Sequence, residues 1–145
     1  MQTFLPYPSF TDSAVALDNK RLGKQRVEVL QILNALAGKS KGWVNHPASK
    51  MWQGHENALI EYGLQVCSVW KSYGFKDTCF EKIAAFLDIF PDEAVIPPTW
   101  VGNPDFHAAH RAKLLQKDFE YYSNEFKQDE IPENWQTMEY IWPNP

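Results

Sequence analysis

The 145-residue sequence predicts an all-α protein on the basis of three observations. Apolar residues recur at intervals of three and four, and residues that begin or end helices bound each of these stretches. No stretch alternates apolar and polar positions as a half-buried strand would. Hydrophobic residues make up 44% of the chain, which is enough for one core, and the length fits a single domain over residues 1–145. This composition excludes a disordered tail, a collagen-like chain and a disulfide-stapled mini-protein.

The start of the chain is predicted to be extended, because Pro6 and Pro8 are incompatible with a helix interior. A first helix then runs to about Ala37, where Gly38 ends it. Its N-terminal cap is expected to be one of three adjacent polar residues, Thr11, Asp12 or Ser13.

Prolines mark the starts of two further long helices. Pro47 is the first residue of a second helix, predicted over 47–73. Asn103 caps and Pro104 begins a fourth helix, predicted over 104–126. Both stretches carry apolar residues at helical spacing.

A third, shorter helix and an irregular tail complete the prediction. Thr78 and Glu81 have the spacing of a capping box, and the helix that they begin stops before Pro91. The tail contains three aromatic residues that are expected to pack back onto the helices, namely Trp135, Tyr140 and Trp142. The expected architecture is a bundle of about four main helices with irregular N- and C-terminal segments.

The formal net charge of −4 is unevenly distributed along the chain. Residues 1–75 hold eight Lys and Arg against five Asp and Glu, a balance of +3, whereas residues 76–145 hold six against thirteen, a balance of −7. An acidic protein is not expected to bind nucleic acid over a broad surface. The basic residues between Lys20 and Arg26 are nevertheless dense enough for a short phosphate contact, with a solvated helix face as the alternative.

Neither membrane insertion nor secretion is predicted. No apolar run approaches the roughly 20 residues that span a bilayer, and the N-terminus lacks the basic and apolar regions of a signal peptide. Cys67 and Cys79 are therefore expected to be reduced thiols of a cytoplasmic protein. No metal site is predicted, since HxxH at 107–110 supplies at most two ligands, and no cofactor is expected, since glycine-rich nucleotide motifs are absent.

The stretch RLGKQRVE at 21–28 places useful side chains on one side of the first helix. Arg21, Gln25 and Glu28 are spaced by about one helical turn each and share a face. Arg21 and Arg26 suit phosphate binding, and Glu28 suits a role as a base or as an orienting group. The structural alternative is a set of ordinary surface ion pairs.

Two later stretches also favour a site. Between residues 45 and 56, His46 precedes a helix N-terminus, which favours an anion, and Trp52 shares a face with Glu56, which suits base stacking beside an acid or base. The structural alternative makes Trp52 a core residue and Glu56 a surface residue. Between residues 106 and 122, one continuous helix face is unusually polar and favours anion binding or proton transfer, with His107, His110, Arg111, Leu114, Lys117, Asp118 and Tyr121.

Several segments resemble the pyrimidine-dimer DNA glycosylase (endonuclease V-type) superfamily, and more closely an uncharacterised bacterial and phage branch of it. The resemblance to the glycosylases covers about the first half of the chain, and the resemblance to the branch covers nearly all of it. The segments that carry it are LPYPSFTD (5–12), RLGKQRVE (21–28), KGWVNHP (41–47), YGLQVCSVWKSYGF (62–75), PPTWVGNPDFHAAHRAKLLQKD (97–118) and YIWP (140–143).

The resemblance implies an all-α fold, a DNA substrate and catalysis by a terminal amine. In such relatives the N-terminal amine attacks C1′ of the damaged nucleotide, a Schiff base forms, and a glutamate on the first helix assists strand cleavage. A terminal amine suits this role because its pKa lies near neutrality. Here Arg21 matches the family arginine, but Leu22 follows it in place of the family glutamate. Glu28 substitutes, or the lyase chemistry is absent; Gln2 is large, so Met1 is expected to be retained.

The sequence therefore predicts a protein that acts on or binds a damaged or modified nucleotide of DNA. The expected pocket lies between the first helix, the start of the second and the polar face of the fourth. Expected catalytic residues are Met1, Glu28, Glu56, His107 and His110. Expected nucleotide- and phosphate-binding residues, among which Trp52 or Trp100 would stack on a base, are Arg21, Gln25, Arg26, His46, Lys50, Trp52, Trp100, Arg111, Lys117 and Tyr121. The alternative is a non-catalytic protein that sequesters a free nucleotide in the same pocket, which suits the net charge.

Overall fold

The computed structural model describes residues 2–90 and 97–143 and confirms the all-α class. Over these residues the chain forms seven α-helices and two short 3-10 helices, with no strand. The α-helices are α1 (Phe10–Ala16), α2 (Asn19–Leu36), α3 (Pro47–Lys50), α4 (Glu56–Ser72), α5 (Phe80–Ala84), α6 (Pro104–Lys117) and α7 (Phe119–Glu125). The 3-10 helices span Ala85–Asp88 and Gln128–Glu130. Met1 lies outside the described residues.

The predicted first helix is divided into α1 and α2. Leu17 and Asp18 have extended backbones, and the Asp18 carboxylate accepts the Arg21 N–H at 3.3 Å, which caps a new helix. The cap of α1 is Ser9, whose hydroxyl accepts the Asp12 N–H. The expected caps Thr11, Asp12 and Ser13 lie within α1 instead, because the actual cap stands two to four residues earlier in the chain.

The predicted second and fourth helices are also divided. Pro47 begins α3 as expected, but Gly54 has a φ of 84° between α3 and α4, a conformation that a helix interior does not contain. Asn103 and Pro104 begin α6 as expected. Asp118 ends α6 and its carboxylate caps α7, so one side chain marks both boundaries.

The expected capping box of the third helix is not formed. Cys79, and not Thr78, is the N-cap of α5, and the two carboxylate oxygens of Asp77 accept the Cys79 N–H at 3.1 Å and the Phe80 N–H at 2.8 Å. The carboxylate is a stronger acceptor than a hydroxyl, and Arg26 pairs with it from α2. These contacts tie α5 to the middle of α2.

The core lies mainly between α2 and α4, which are antiparallel neighbours joined through α3. Their close approach occurs at Gly63, where an added Cβ would lie 2.7 Å from the Val29 side chain. The N-terminal segment is part of this core: residues 2–5 are all buried, although they form no helix. Buried backbone that forms no helix must find hydrogen-bond partners. The residues that supply these partners form part of the site described below.

No helix within residues 2–90 and 97–143 is long and apolar enough to cross a membrane. Cys67 and Cys79 are buried free thiols. Burial, together with the neighbouring Asp77, raises the pKa of the Cys67 thiol to about 12, so this thiol is unreactive near neutral pH.

Candidate functional site

The polar face of α6 binds the backbone of the N-terminal segment. His107 Nδ1 lies 2.8 Å from the Leu5 carbonyl oxygen, and His110 Nδ1 accepts the Leu5 N–H at 3.0 Å. Arg111 donates from Nη1 to the Pro6 carbonyl and from Nε to the Glu130 carbonyl, each at 2.7 Å. Three side chains at helical spacing thus satisfy a stretch of extended backbone that would otherwise be buried without partners.

These contacts fix both histidines in the neutral state. The Gly102 N–H donates to His107 Nε2 at 2.9 Å, so the His107 proton is on Nδ1 and is donated to Leu5. Burial lowers the pKa of His107, and burial with the nearby His107 lowers the pKa of His110 to about 3. Both imidazoles are at most 2% exposed. The expectation that the pocket includes His107, His110 and Arg111 is corrected, because these side chains bind buried backbone and none of them lines the cavity described below.

Gln25 and Glu28 of α2 hold the very start of the described chain from the other side. Gln25 Oε1 accepts the Phe4 N–H at 2.9 Å, and Gln25 Nε2 donates to the Gln2 carbonyl and to Glu28 Oε2, both at 2.9 Å. Glu28 Oε2 also accepts the backbone N–H of Gln2 at 3.3 Å. Glu28 is only 7% exposed, so its carboxylate depends on these donors.

A cavity of about 360 Å³ opens above this arrangement. Its polar floor is formed by Gln2, Gln25 and Glu28, and its aromatic wall by Phe4 and Tyr140. Four basic side chains line the remainder, namely Lys20, Arg21, Lys24 and Lys117. The volume lies at the lower end of the range for small-molecule sites.

The charges around the cavity are only partly compensated. Arg21 pairs with Asp18 at 3.2 Å, and Lys24 Nζ lies 4.0 Å from Glu28 Oε1. Within the described part of the chain, no carboxylate lies within 4.0 Å of the Lys20 or Lys117 amine. A cavity with excess positive charge, an aromatic wall and one buried carboxylate suits an anionic ligand that also has a flat ring.

Four of the expected site residues come together in this cavity: Arg21, Gln25, Glu28 and Lys117. Arg26 does not, because it lies on another side of α2, where its guanidinium pairs with Asp77 and lies 4.4 Å from the ring centre of Trp70. Arg26 therefore joins α2 to α4 and α5 and does not face the cavity.

The two tryptophans expected to stack on a base are buried in the core. Trp52 is fully buried and its indole N–H donates to Thr3 Oγ1 at 3.0 Å. Trp100 is 5% exposed and packs against Trp52 and Phe106, with ring centres 4.9 and 4.8 Å away. Neither ring presents a free face to a ligand. The expectation that Trp52 or Trp100 stacks on a base is therefore corrected.

The remaining candidates lie apart from the cavity lining. His46 caps α3 by accepting the Ala48 N–H at 3.0 Å, and burial lowers its pKa. Glu56 stands at the start of α4 and accepts the Gly54 N–H, while Lys50 is exposed at the end of α3. Tyr121 lies on α7 in an acidic groove, away from Lys117 and the cavity.

Five residues of the cavity were not expected as site residues: Gln2, Phe4, Lys20, Lys24 and Tyr140. Lys20 and Lys24 belong to the basic patch that the charge distribution indicates, and their spacing from Arg21 and Glu28 on α2 is a usable signal. Gln2, Phe4 and Tyr140 carry no such signal, because only the tertiary fold brings them to α2. No group of three or more metal-ligating side chains lies together among the described residues.

The chain matches a protein-family model over more than half of its length. The family model described as pyrimidine dimer DNA glycosylase matches residues 1–82, which include the whole of α2 and the residues of the cavity floor. No curated protein and no solved structure matches the chain.

Proposed function

Because the chain belongs to the pyrimidine dimer DNA glycosylase family, we propose that it acts on a damaged or modified nucleotide that is flipped out of DNA into the cavity beside α2. The family relation supports a glycosylase-like activity on DNA. The cavity supports a contact with one nucleotide and its neighbouring phosphates. Enzymes that modify a base in a duplex must first extrude it, and they offset the cost of a few kcal/mol by contacts in the pocket.

The observation that carries the proposal is the contact between Glu28 and the backbone nitrogen of Gln2. The 3.3 Å separation sets a carboxylate beside the start of the described chain, at the floor of a cation-lined cavity. In the chemistry that the family resemblance implies, an amine at the start of the chain attacks C1′ and a glutamate handles the protons. Glu28 is in reach for that role, although it lies seven residues after Arg21 and not directly after it.

The other cavity residues suit the substrate. Arg21, Lys20 and Lys117 would hold the phosphates that flank the flipped nucleotide. Tyr140 and Phe4 would pack against its base, a contact worth about 1–3 kcal/mol per base. His107, His110 and Arg111 would act indirectly, by holding residues 5 and 6 and hence the position of Gln2.

Borohydride trapping on DNA with an abasic site tests the proposal. We expect the wild-type protein to form a covalent adduct, and the adduct to vanish when the terminal amine is acetylated. Glu28→Gln should retain the adduct but lose strand cleavage, because the imine forms without the carboxylate whereas elimination needs it. Glu56→Gln is the matched control, since Glu56 does not line the cavity, and it should cleave as the wild type does.

Mass spectrometry of the trapped peptide identifies the reacting amine and the true first residue of the protein. No adduct, combined with DNA binding that does not depend on salt, would count against a DNA-acting enzyme. An adduct on an internal lysine such as Lys24 would preserve a glycosylase-like activity but remove Glu28 and the terminal amine from the proposed mechanism.

A second candidate is a non-catalytic protein that sequesters a free nucleotide. The net charge of −4 and the small size of the basic cavity favour a ligand with few phosphates. Calorimetry with thymidine monophosphate tests it. Binding of this nucleotide that is lost in Arg21→Ala, without any trapped adduct on DNA, would favour sequestration over catalysis.

A further inference from the structure

A chain of aromatic rings leads away from the cavity across the surface. Tyr140, which lines the cavity, contacts Trp142 with ring centres 5.3 Å apart. Trp142 contacts His46 at 5.9 Å, and His46 contacts Trp43 at 5.5 Å. These four rings, called the aromatic ladder below, connect the C-terminal segment with the loop before α3.

Two rings of the aromatic ladder are open to solvent. Trp43 is 45% exposed and Trp142 is 37% exposed, whereas Trp52 and Trp100 are buried. Val44 and Ile141, next to these two tryptophans in sequence, are also more than 40% exposed. Exposed aromatic and aliphatic groups along a line of ring contacts suit a binding surface.

The backbone conformation of Trp43 also supports a binding role. Trp43 has a φ of 68°, and among the described residues it is the one residue other than glycine with a positive φ. This left-handed conformation is unfavourable for a bulky side chain, and such outliers concentrate at functional sites. In the same turn the Trp43 carbonyl accepts the His46 N–H at 3.1 Å, and the Trp43 ring contacts the His46 ring while it stays nearly half exposed.

The surroundings of the aromatic ladder favour an anionic partner with flat rings. At one end lie the basic residues of the cavity, and Lys41 and Lys50, near Trp43 and His46 in sequence, are exposed. The His46 ring is held in place because its Nδ1 accepts the Ala48 N–H. Aromatic rings together with basic side chains are a common surface for single-stranded nucleic acid.

We propose that the aromatic ladder is a stacking surface for unpaired bases of the DNA strand that continues from the nucleotide in the cavity. The inference rests on the proposed function and adds to it a preference for DNA that is locally unpaired. The exposed faces of Trp43 and Trp142 stack on the bases, and Tyr140 joins this surface to the cavity. The partner is recognised by its base rings and phosphates and not by its sequence.

Fluorescence anisotropy with a labelled single-stranded oligonucleotide of about 12 nucleotides tests the inference. Trp43→Ala should raise Kd by about 5-fold or more, the loss expected from removal of one base-stacking contact. Tyr73→Ala is the matched control, because Tyr73 is also 45% exposed but lies at the C-terminal end of α4, outside the aromatic ladder. The Kd of this variant should stay within about 2-fold of the wild-type Kd. A fully paired duplex should bind more weakly than the single strand to the wild type.

Trp43→Gly separates stacking from folding. Glycine adopts a positive φ without strain, so this variant should unfold at a temperature no lower than that of Trp43→Ala while it loses the same affinity. Equal Kd values for wild type and Trp43→Ala would overturn the inference and leave the trapping result untouched. A wild-type protein that binds neither single-stranded nor abasic DNA would overturn both the inference and the proposed function.

Discussion

His110 is a fully buried imidazole whose neutral form the fold requires. Its Nδ1 accepts the Leu5 N–H, and no described residue pairs with its Nε2. The ring packs against Phe106 of its own helix and against Tyr140 of the C-terminal tail, with ring centres 4.4 and 5.5 Å away. Protonation would remove the acceptor from Leu5 and bury an unpaired charge, which is costly.

Stability should therefore fall in mild acid. Burial lowers the pKa of His110 to about 3, below the value of about 6.5 in the unfolded chain. The unfolded state then binds more protons between these values, so the contribution is complete above about pH 6.5 and is lost as the pH falls toward 3. From pH 6.5 to 5 we expect a loss of about 2 kcal/mol in the free energy of unfolding, measured by urea denaturation.

His110→Asn tests this assignment. The asparagine Oδ1 can still accept the Leu5 N–H but does not titrate, so the variant should be less stable at pH 7 and show a flatter pH dependence. If the free energy of unfolding of His110→Asn changes with pH between 6.5 and 5 as steeply as that of the wild type, another group accounts for the pH dependence. The carboxyl groups of Asp18 and Asp77 do not confuse the comparison, because their hydrogen-bonded partners hold their pKa values below the usual range, outside this window.

The two longest helices, α2 and α4, set the positions of the cavity residues. α2 presents Arg21, Gln25 and Glu28 toward the cavity and Arg26 toward α5, as a helical period requires. α4 packs on α2 at a glycine, which lets the two backbones approach closely. How deeply Gln25 and Glu28 are buried, and thus their contact with residue 2, depends on how closely α4 approaches α2.

Gly63→Ala should destabilise the protein by about 1–3 kcal/mol through overpacking. The new Cβ would lie 2.7 Å from Val29 Cγ1 and 3.1 Å from Ile83 Cδ1, so α2 or α5 must shift. Gly42→Ala is the control, because no neighbouring atom lies within 4 Å of its added Cβ. Chemical denaturation of both variants provides the measurement, and equal stability of the two would show that the helices adjust at no cost.

The molecule as a whole is acidic, yet the cavity is lined by four basic side chains and one carboxylate. Such a distribution limits the number of phosphates that can be bound at once. The salt dependence of DNA binding reports this number, because each neutralised phosphate releases a counterion.

We expect Lys117→Ala to reduce the slope of log K against log salt concentration by about 1. Lys82→Ala, a change at an exposed lysine of α5 that does not line the cavity, should leave the slope unchanged. Anisotropy titrations with abasic DNA at several salt concentrations measure both. If the Lys82 variant instead changes the slope by as much as the Lys117 variant, DNA contacts a broader surface than the cavity.

Local sequence signals predicted the helical class and several helix starts. Helical periodicity identified the all-α class, and Pro47 and Pro104 marked helix starts, because these signals act within a few residues. The same periodicity set Arg21, Gln25 and Glu28 on one face of α2. The breaks at Asp18 and Asp118 were missed because each side chain caps a new helix within an otherwise helical pattern.

Which polar side chains remain open to a ligand depends on the tertiary structure. The face of α6 is polar because it binds the buried backbone of Leu5 and Pro6, more than 100 residues earlier in the chain, and no local pattern records that need. Packing likewise buries Trp52 and leaves Trp43 exposed, although both tryptophans lie in aromatic-rich segments. Residue type and spacing establish what a side chain can do, whereas long-range packing and hydrogen bonding determine which of its atoms are free to do it.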